Sequence, residues 1–290
     1  MKKGFEFRKV GYDFFSRTHI MGVVNVTPDS FSDGGRFFQA EQAIKQGIKL
    51  AQDGADILDI GGESTRPGSE PVTVEEELKR IIPVIENLAQ KVRIPISIDT
   101  YKAKVAKSAL EAGAEIINDI SALRFDPEMV NVAREFGCPV ILMHIQGTPR
   151  QMQENPVYPD VVGEIKAYFQ QQIAYAQQNG LDESQLIIDP GIGFGKNLEH
   201  NLEILQGLSK FQELGRPILL GVSRKSFIGK ILDLPVEDRL EGSLAAMAYA
   251  ILQGANIVRV HDVKESVRVA KMTDELKKSF PTKQGIQLKN

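Results

Sequence analysis

HIMGVVNVTPDSFSDGG, residues 19 to 35, decides the fold: an apolar run ends abruptly in a loop holding an amide, three hydroxyls, two carboxylates and two glycines. HIMGVV (19 to 24) has the pattern of a buried strand, and QAEQAIKQGIKLAQDG (39 to 54) that of an amphipathic helix. A polar loop therefore lies where a strand hands over to a helix. That is where open α/β sheets and α/β barrels carry their ligand-binding groups.

Outward from this point the same unit repeats. DGAD (53 to 56), EAGAE (111 to 115), EFGCP (135 to 139) and QGAN (253 to 256) each close a helical pattern just before an apolar run. Their glycines suit a left-handed helix cap. Strand patterns at 19–25, 56–61, 95–99, 115–119, 139–144, 186–190, 217–222 and 256–261 alternate with helical ones. Eight such units predict a single (β/α)8 TIM barrel of parallel strands with its active site at their C-terminal ends. No linker rich in Ser, Gly or Pro divides the chain. Residues 1–18 read as an N-terminal lead-in, 19–280 as the barrel and 281–290 as a polar tail.

Composition narrows the function. An apolar content of 42% and a charged content of 25% over 290 residues are ordinary for a soluble enzyme. No segment approaches the roughly 18 consecutive apolar residues of a membrane span. The net charge of -3 argues against general nucleic-acid binding. One cysteine, Cys138, excludes an internal disulfide and a cysteine-rich metal site. MKKGFEFRKVGYDFF, the first 15 residues, lacks the apolar core of a signal peptide, so the expectation is a cytoplasmic protein with neither membrane nor nucleic-acid partner.

In a barrel, chemistry should collect at the C-terminal ends of the strands. Those ends carry Asn25, Asp59, Asp99, Asn118 with Asp119, His144, Asp189, Ser223 to Ser226, and Arg259 with His261. Any one of them can be a cap or a turn residue, but eight strands ending this way mark one face as a site. Arg259 and His261 are two apart and point to the same side of a strand. With Asn25 they suit a divalent anion such as phosphate or pyrophosphate; the alternative for His261 is an ordinary buried histidine. PGIGFGK (190 to 196) has the glycines of a phosphate cradle but neither the GxGxxG nor the GxxxxGK[ST] spacing, and reads equally well as a turn. Asp189, just before it, suits the paired N–H groups of a guanidine-like or aminopyrimidine edge. Lys225 has three open roles beside the default of a solvated surface lysine: donating to a carbonyl, neutralising phosphate, or forming a Schiff base.

Taken in order, NVTPDSFSDGG, GGESTRPG, SIDT, NDIS, LMHIQGTP, DPGIGFGK, GVSRKSFIG and RVHDV resemble the bacterial dihydropteroate synthase family over about residues 19 to 275. The resemblance implies a barrel that condenses 7,8-dihydropterin-6-ylmethyl diphosphate with p-aminobenzoate. It would release pyrophosphate and form 7,8-dihydropteroate for folate synthesis. It also implies Mg²⁺, sulfonamides as competitive inhibitors, and a homodimer formed through the helices of about 198 to 279. Carried over by position, the pterin pocket falls on Asp99, Asn118, Asp189, Lys225 and Arg259, and the diphosphate pocket on Asn25, Ser64, Thr65, Arg259 and His261. The p-aminobenzoate positions are Phe31, Arg66, Pro67, Phe194, Lys225 and Ser226, and the Mg²⁺ positions are Asn25 and Asp33.

The catalytic set implied is Asp99, Lys225, Arg259 and His261, in a dissociative displacement. Mg²⁺, Arg259 and His261 would take the leaving group, Asp99 would favour charge delocalised into the ring, and no side chain would act as nucleophile. The glycine-bearing loops 25–37 and 61–72 are long for βα connections and are expected to be lids that complete the p-aminobenzoate site over a preformed pterin pocket. Three rival readings share some of these residues. A methyl-tetrahydrofolate-binding methyltransferase domain would use Asp99, Asn118 and Asp189 but not the SRKS segment. A Schiff-base aldolase would use Lys225, and a non-catalytic pterin-binding relative would have no need of Arg259 and His261.

Overall fold

The computed structural model of the chain describes residues 5–7, 10–27, 36–65 and 68–279. It opens with β1 (Phe5–Phe7) and β2 (Val10–Tyr12), an antiparallel hairpin. The barrel strands follow as β3 (His19–Asn25), β4 (Ile57–Gly61), β5 (Ile96–Asp99), β6 (Ile116–Asp119), β7 (Val140–Met143), β8 (Leu186–Asp189), β9 (Leu219–Leu220) and β10 (Ile257–Val260). Between and after them run the helices α1 (Arg36–Gln52), α2 (Val74–Lys91), α3 (Ala103–Glu111), α4 (Met129–Phe136), α5 (Val161–Gln178), α6 (Leu198–Gln206), α7 (Ser226–Leu232), α8 (Leu240–Leu252) and α9 (Val263–Ser279).

All barrel pairings are parallel, in the order β8-β7-β6-β5-β4-β3-β10-β9, and a bridge between Ile188 and Ile218 joins β8 to β9 and closes the ring. The predicted TIM barrel is the observed one. Its seventh unit differs from the expected pattern: β9 is followed by the short α7 as well as by α8. Gly54, Gly113, Gly137 and Gly254, in the four repeated turns, all have positive φ, the left-handed geometry expected of them.

Strand parity divides the barrel. Met21, Ile57, Ile116, Ile141, Ile187, Leu219 and Ile257 form one buried apolar cluster, the floor. Their chain neighbours, such as Ile20, Leu58, Ile117, Leu142, Ile188 and Val258, belong to the larger cluster shared with the helices. Adjacent strand residues face opposite ways, so this is the expected split between barrel interior and outer layer.

The lead-in is more than a connection. Phe7 and Phe14 are buried in the same cluster as the floor, and the Phe14 ring meets His19 edge-on at 4.9 Å. The hairpin thus stoppers the N-terminal end of the barrel and leaves the C-terminal end for the site.

Candidate active site

Two residues beyond the floor, the same inward parity turns polar. Asp59, Asn118, Asp189 and Arg259 follow Ile57, Ile116, Ile187 and Ile257, and one cavity is lined by Asp99, Asn118, Asp189, Lys225, Arg259 and His261. Thr65, Met143, Phe194 and Ser223 line it too. The expected convergence of Asp189, Lys225 and Arg259 is therefore observed.

Arg259 is held without any ligand. Its Nε donates to Asp59 Oδ2 at 2.6 Å and its Nη2 to Asp99 Oδ2 at 2.8 Å, while Asn118 Nδ2 donates to Asp59 Oδ2 at 3.1 Å. Burial works against the guanidinium charge, but Asp59 and Asp99 hold its pKa above the ordinary value. Burial pushes the Asp99 carboxyl up to about 7, against the pull of Arg259 and with the repulsion of Asp59. The second oxygens of Asp59 and Asp99 are buried and have no hydrogen-bond partner among the described residues. Of the two, Asp99 lines the cavity, and an orphaned acceptor there suits a ligand that brings N–H donors.

At the end of β8, Asp189 Oδ1 accepts the Gly191 N–H at 2.8 Å, which leaves Oδ2 for the cavity. Burial raises its pKa to about 6, opposed by that N–H and by Lys225. Gly191 has φ of +70°, and a Cβ there would lie 2.0 Å from the His144 carbonyl oxygen, so only glycine lets the chain turn this tightly. Lys225 Nζ sits 4.3 Å from the centre of the Phe194 ring, a cation–π contact. Burial and Arg259 lower its pKa to about 8, with Asp189 acting the other way.

His261 changes character from the expected basic pair. Its Nδ1 is 3.0 Å from Ser223 Oγ, and burial, then Arg259, lower its pKa to about 4. The imidazole is neutral near pH 7, a hydrogen-bonding group beside the Arg259 cation. The His261 backbone N–H donates to the same Ser223 Oγ at 3.2 Å, so backbone and ring are both tied to this hydroxyl.

Other expected residues are placed differently. Asn25, Ser64 and Ser226 are not among the cavity-lining side chains, although Asn25 is exposed at the end of β3 and Ser226 opens α7 beside Lys225. Phe31, Asp33, Arg66 and Pro67 lie outside the described residues. Asp119 and His144, one residue off the inward parity, serve the scaffold. Asp119 accepts from Ser121 N, Ser121 Oγ and Leu123 N, and His144 Nδ1 pairs with Lys196 Nζ at 3.0 Å. Burial pushes Lys196 down to about 7 and, with Lys196 and Arg124 adding to it, His144 to about 2, so the imidazole is the acceptor. Cys138 is buried and its thiol is pushed up to about 12, so it is inert.

Asp59 is the functional residue that strand-end reasoning named without giving it a task. The available signal was a lone carboxylate in the middle of ILDIG, at the inward parity.

Known proteins share this barrel. The model of the pterin-binding enzyme family matches residues 21–261. The chain is 50% identical over 266 residues to the dihydropteroate synthase of Synechocystis sp., covering 91% of this chain and 92% of that one. The dihydropteroate synthase of Yersinia pestis, solved as a complex with a sulfonamide drug, superposes with a TM-score of 0.89 at 43% identity, over 96% of this chain and all of that one (100%). That of Xanthomonas albilineans, solved with 4-aminobenzoic acid, gives 0.86 at 44% identity over 92% and 95% of the two chains. With a family match across the whole barrel and relatives this similar over nine-tenths of their length, the chain belongs to the pterin-binding enzyme family.

Proposed function

We infer that the cavity condenses 7,8-dihydropterin-6-ylmethyl diphosphate with p-aminobenzoate, giving 7,8-dihydropteroate and pyrophosphate in folate biosynthesis. The observation that carries the site assignment is Asp189 and Lys225 lining the same cavity as Arg259, which is held against Asp59 and Asp99. An ionised Asp189 would accept the 2-amino and N3 protons of the pterin, and Lys225 would donate to the ring carbonyl. The Arg259 guanidinium would lie against the ring and reach the diphosphate.

The leaving pyrophosphate gains negative charge while the pterin methylene gains positive charge. Arg259 and a ring N–H of His261 would stabilise the first, and Asp99, whose second oxygen has no hydrogen-bond partner among the described residues, the second. A methylene that becomes cationic before it is attacked helps the weakly nucleophilic arylamine. Phe194 and Lys225 would flank that amine's ring. Sulfonamides, which share the arylamine, would compete for the same place.

Asn25 offers a single exposed amide oxygen at the end of β3, and no group of three or more His, Cys, Asp or Glu side chains suited to a metal occurs among the described residues. One hard oxygen donor fits Mg²⁺ that arrives on the diphosphate, because this ion keeps several waters and takes few protein ligands. Bound there, it would neutralise charge on the departing oxygens.

Ile231, Leu232, Val236, Tyr249, Leu252, Met272 and Leu276 are exposed apolar side chains on α7, α8, α9 and the α7–α8 connection. They support a homodimer formed through this face. The lone buried Cys138 is in keeping with a reducing cytoplasm, and no described helix is long and apolar enough to cross a membrane.

The decisive experiment incubates the protein with Mg²⁺, the pterin diphosphate and p-aminobenzoate, and follows dihydropteroate and pyrophosphate. Equal release of both is expected; pyrophosphate release without dihydropteroate would sink the reading.

A further inference from the structure

A second polar cluster lies outside the cavity, at the neck of the loop that leaves β4. Glu63 opens that loop, and Val72 ends it just before Thr73, the N-terminal cap of α2. The Glu63 carboxylate accepts the Val72 N–H at 3.0 Å and the Tyr101 hydroxyl at 2.8 Å. Lys102 Nζ is 2.5 Å from Glu63 Oε2, 2.6 Å from Glu77 Oε2 and 2.8 Å from the Val72 carbonyl oxygen. All three ammonium protons are therefore used.

The cluster is dry: the Lys102, Glu63 and Glu77 side chains are 14%, 7% and 1% exposed. Tyr101 packs edge-on against Phe125 at 5.6 Å, which fixes its ring. Beyond the neck the loop is bonded to itself, with Ser69 Oγ donating to the Ser64 carbonyl oxygen at 2.5 Å.

The position of the neck gives it a task. Thr65, two residues past Glu63, lines the cavity mouth, and Asp99, two residues before Tyr101, lines its wall. The cluster thus rivets one βα connection to the next. The pterin-side groups are held by other partners, Asp189 by Gly191 and Asn118 by Asp59.

We propose that Glu63, Tyr101 and Lys102 are positioning residues that fix the Thr65 side of this loop at the cavity, and so govern the hold on the diphosphate and not the binding of the bare pterin ring. The proposal rests on the condensation reading above. Tyr101→Phe removes one hydrogen bond and keeps the ring, and Glu63→Gln keeps the shape and removes the charge. In both variants the KM for the pterin diphosphate should rise about three- to tenfold, the scale of one lost buried hydrogen bond, while the Kd of a pterin without diphosphate, by calorimetry, stays within about twofold.

An unchanged KM for the pterin diphosphate in folded variants overturns the proposal, as does an equal loss of affinity for the bare pterin. If Glu63→Gln loses its cooperative thermal transition, Tyr101→Phe decides alone. Wild-type protein that makes no dihydropteroate defeats the condensation reading and this one with it; active wild type with unaltered variants defeats only this one.

Discussion

Arg259 Nε lies 2.6 Å from Asp59 Oδ2, with strand β3 between the two strands that carry them, and Asp59 is wholly buried. The pair fixes the guanidinium before any substrate arrives. Asp59→Asn keeps the size and the Asn118 neighbour but removes the counter-charge, so Arg259 should swing. We expect turnover to fall by at least about tenfold, because a displaced donor near the reacting atoms loses transition-state stabilisation. Asp59→Ala should in addition destabilise the protein by about 3 to 5 kcal/mol, the usual cost of breaking a buried pair from one side. Steady-state kinetics beside thermal melts separates the two effects, and full activity in Asp59→Asn would remove Asp59 from the site.

Activity should follow a bell in pH. Pterin recognition needs Asp189 ionised, and its pKa stands near 6, so kcat/KM for the pterin diphosphate should climb as pH rises through about 6. Recognition also needs Lys225 protonated, and its pKa of about 8 sets the falling limb. The raised Asp189 value means that folding disfavours its ionised form, so above pH 6 that charge costs stability. Asp189→Asn should therefore melt no lower than wild type at pH 8 while losing most of its pterin affinity. A lower melting temperature at pH 8 would contradict this sign.

Arg224 stands at φ of +57° immediately before Lys225, a backbone state that non-glycine residues reach only when held. Its N–H donates to Ser243 Oγ at 2.8 Å, its Nε and Nη2 to Asp262 at 2.9 and 2.8 Å, and its Nη1 to the Val236 carbonyl oxygen at 3.0 Å. A lysine cannot reproduce the two-pronged bond to Asp262. Arg224→Lys should raise the KM for both substrates, since Lys225 faces both, with a loss of about 1 to 2 kcal/mol in stability by denaturant titration. A KM change for neither substrate would show that Lys225 is oriented without this clamp.

Phe14 is 1% exposed at the closed end of the barrel. Truncating Phe14→Ala should cost about 3 to 5 kcal/mol in unfolding free energy and leave both KM values unchanged at a temperature where the variant is folded. A barrel keeps stability at one end and chemistry at the other, so a changed KM would show that the hairpin also shapes the mouth.

The barrel could be read from the chain because strands buried on both faces appear as apolar runs, and the eight runs predicted fall on the eight strands observed. Eight of the expected site residues, Thr65, Asp99, Asn118, Asp189, Phe194, Lys225, Arg259 and His261, share one cavity because strand ends and the loops after them gather on one face. Side-chain direction was harder to read. Asn118 and Asp119 are neighbours of similar chemistry, yet one lines the cavity and the other braces a turn, since a single step along a strand reverses the face. The partner of Asp59 is 200 positions away, a contact that no local pattern encodes. The hairpin escaped notice because its strands are three residues each, too short for an alternation to show.

The phenylalanine stopper beneath the floor has one further consequence. With aromatic side chains filling that end, traffic to the cavity is left to the opposite rim of the barrel. Two ligands that share one rim queue for it, so the shape of the well, and not affinity alone, favours seating the pterin beneath the arylamine.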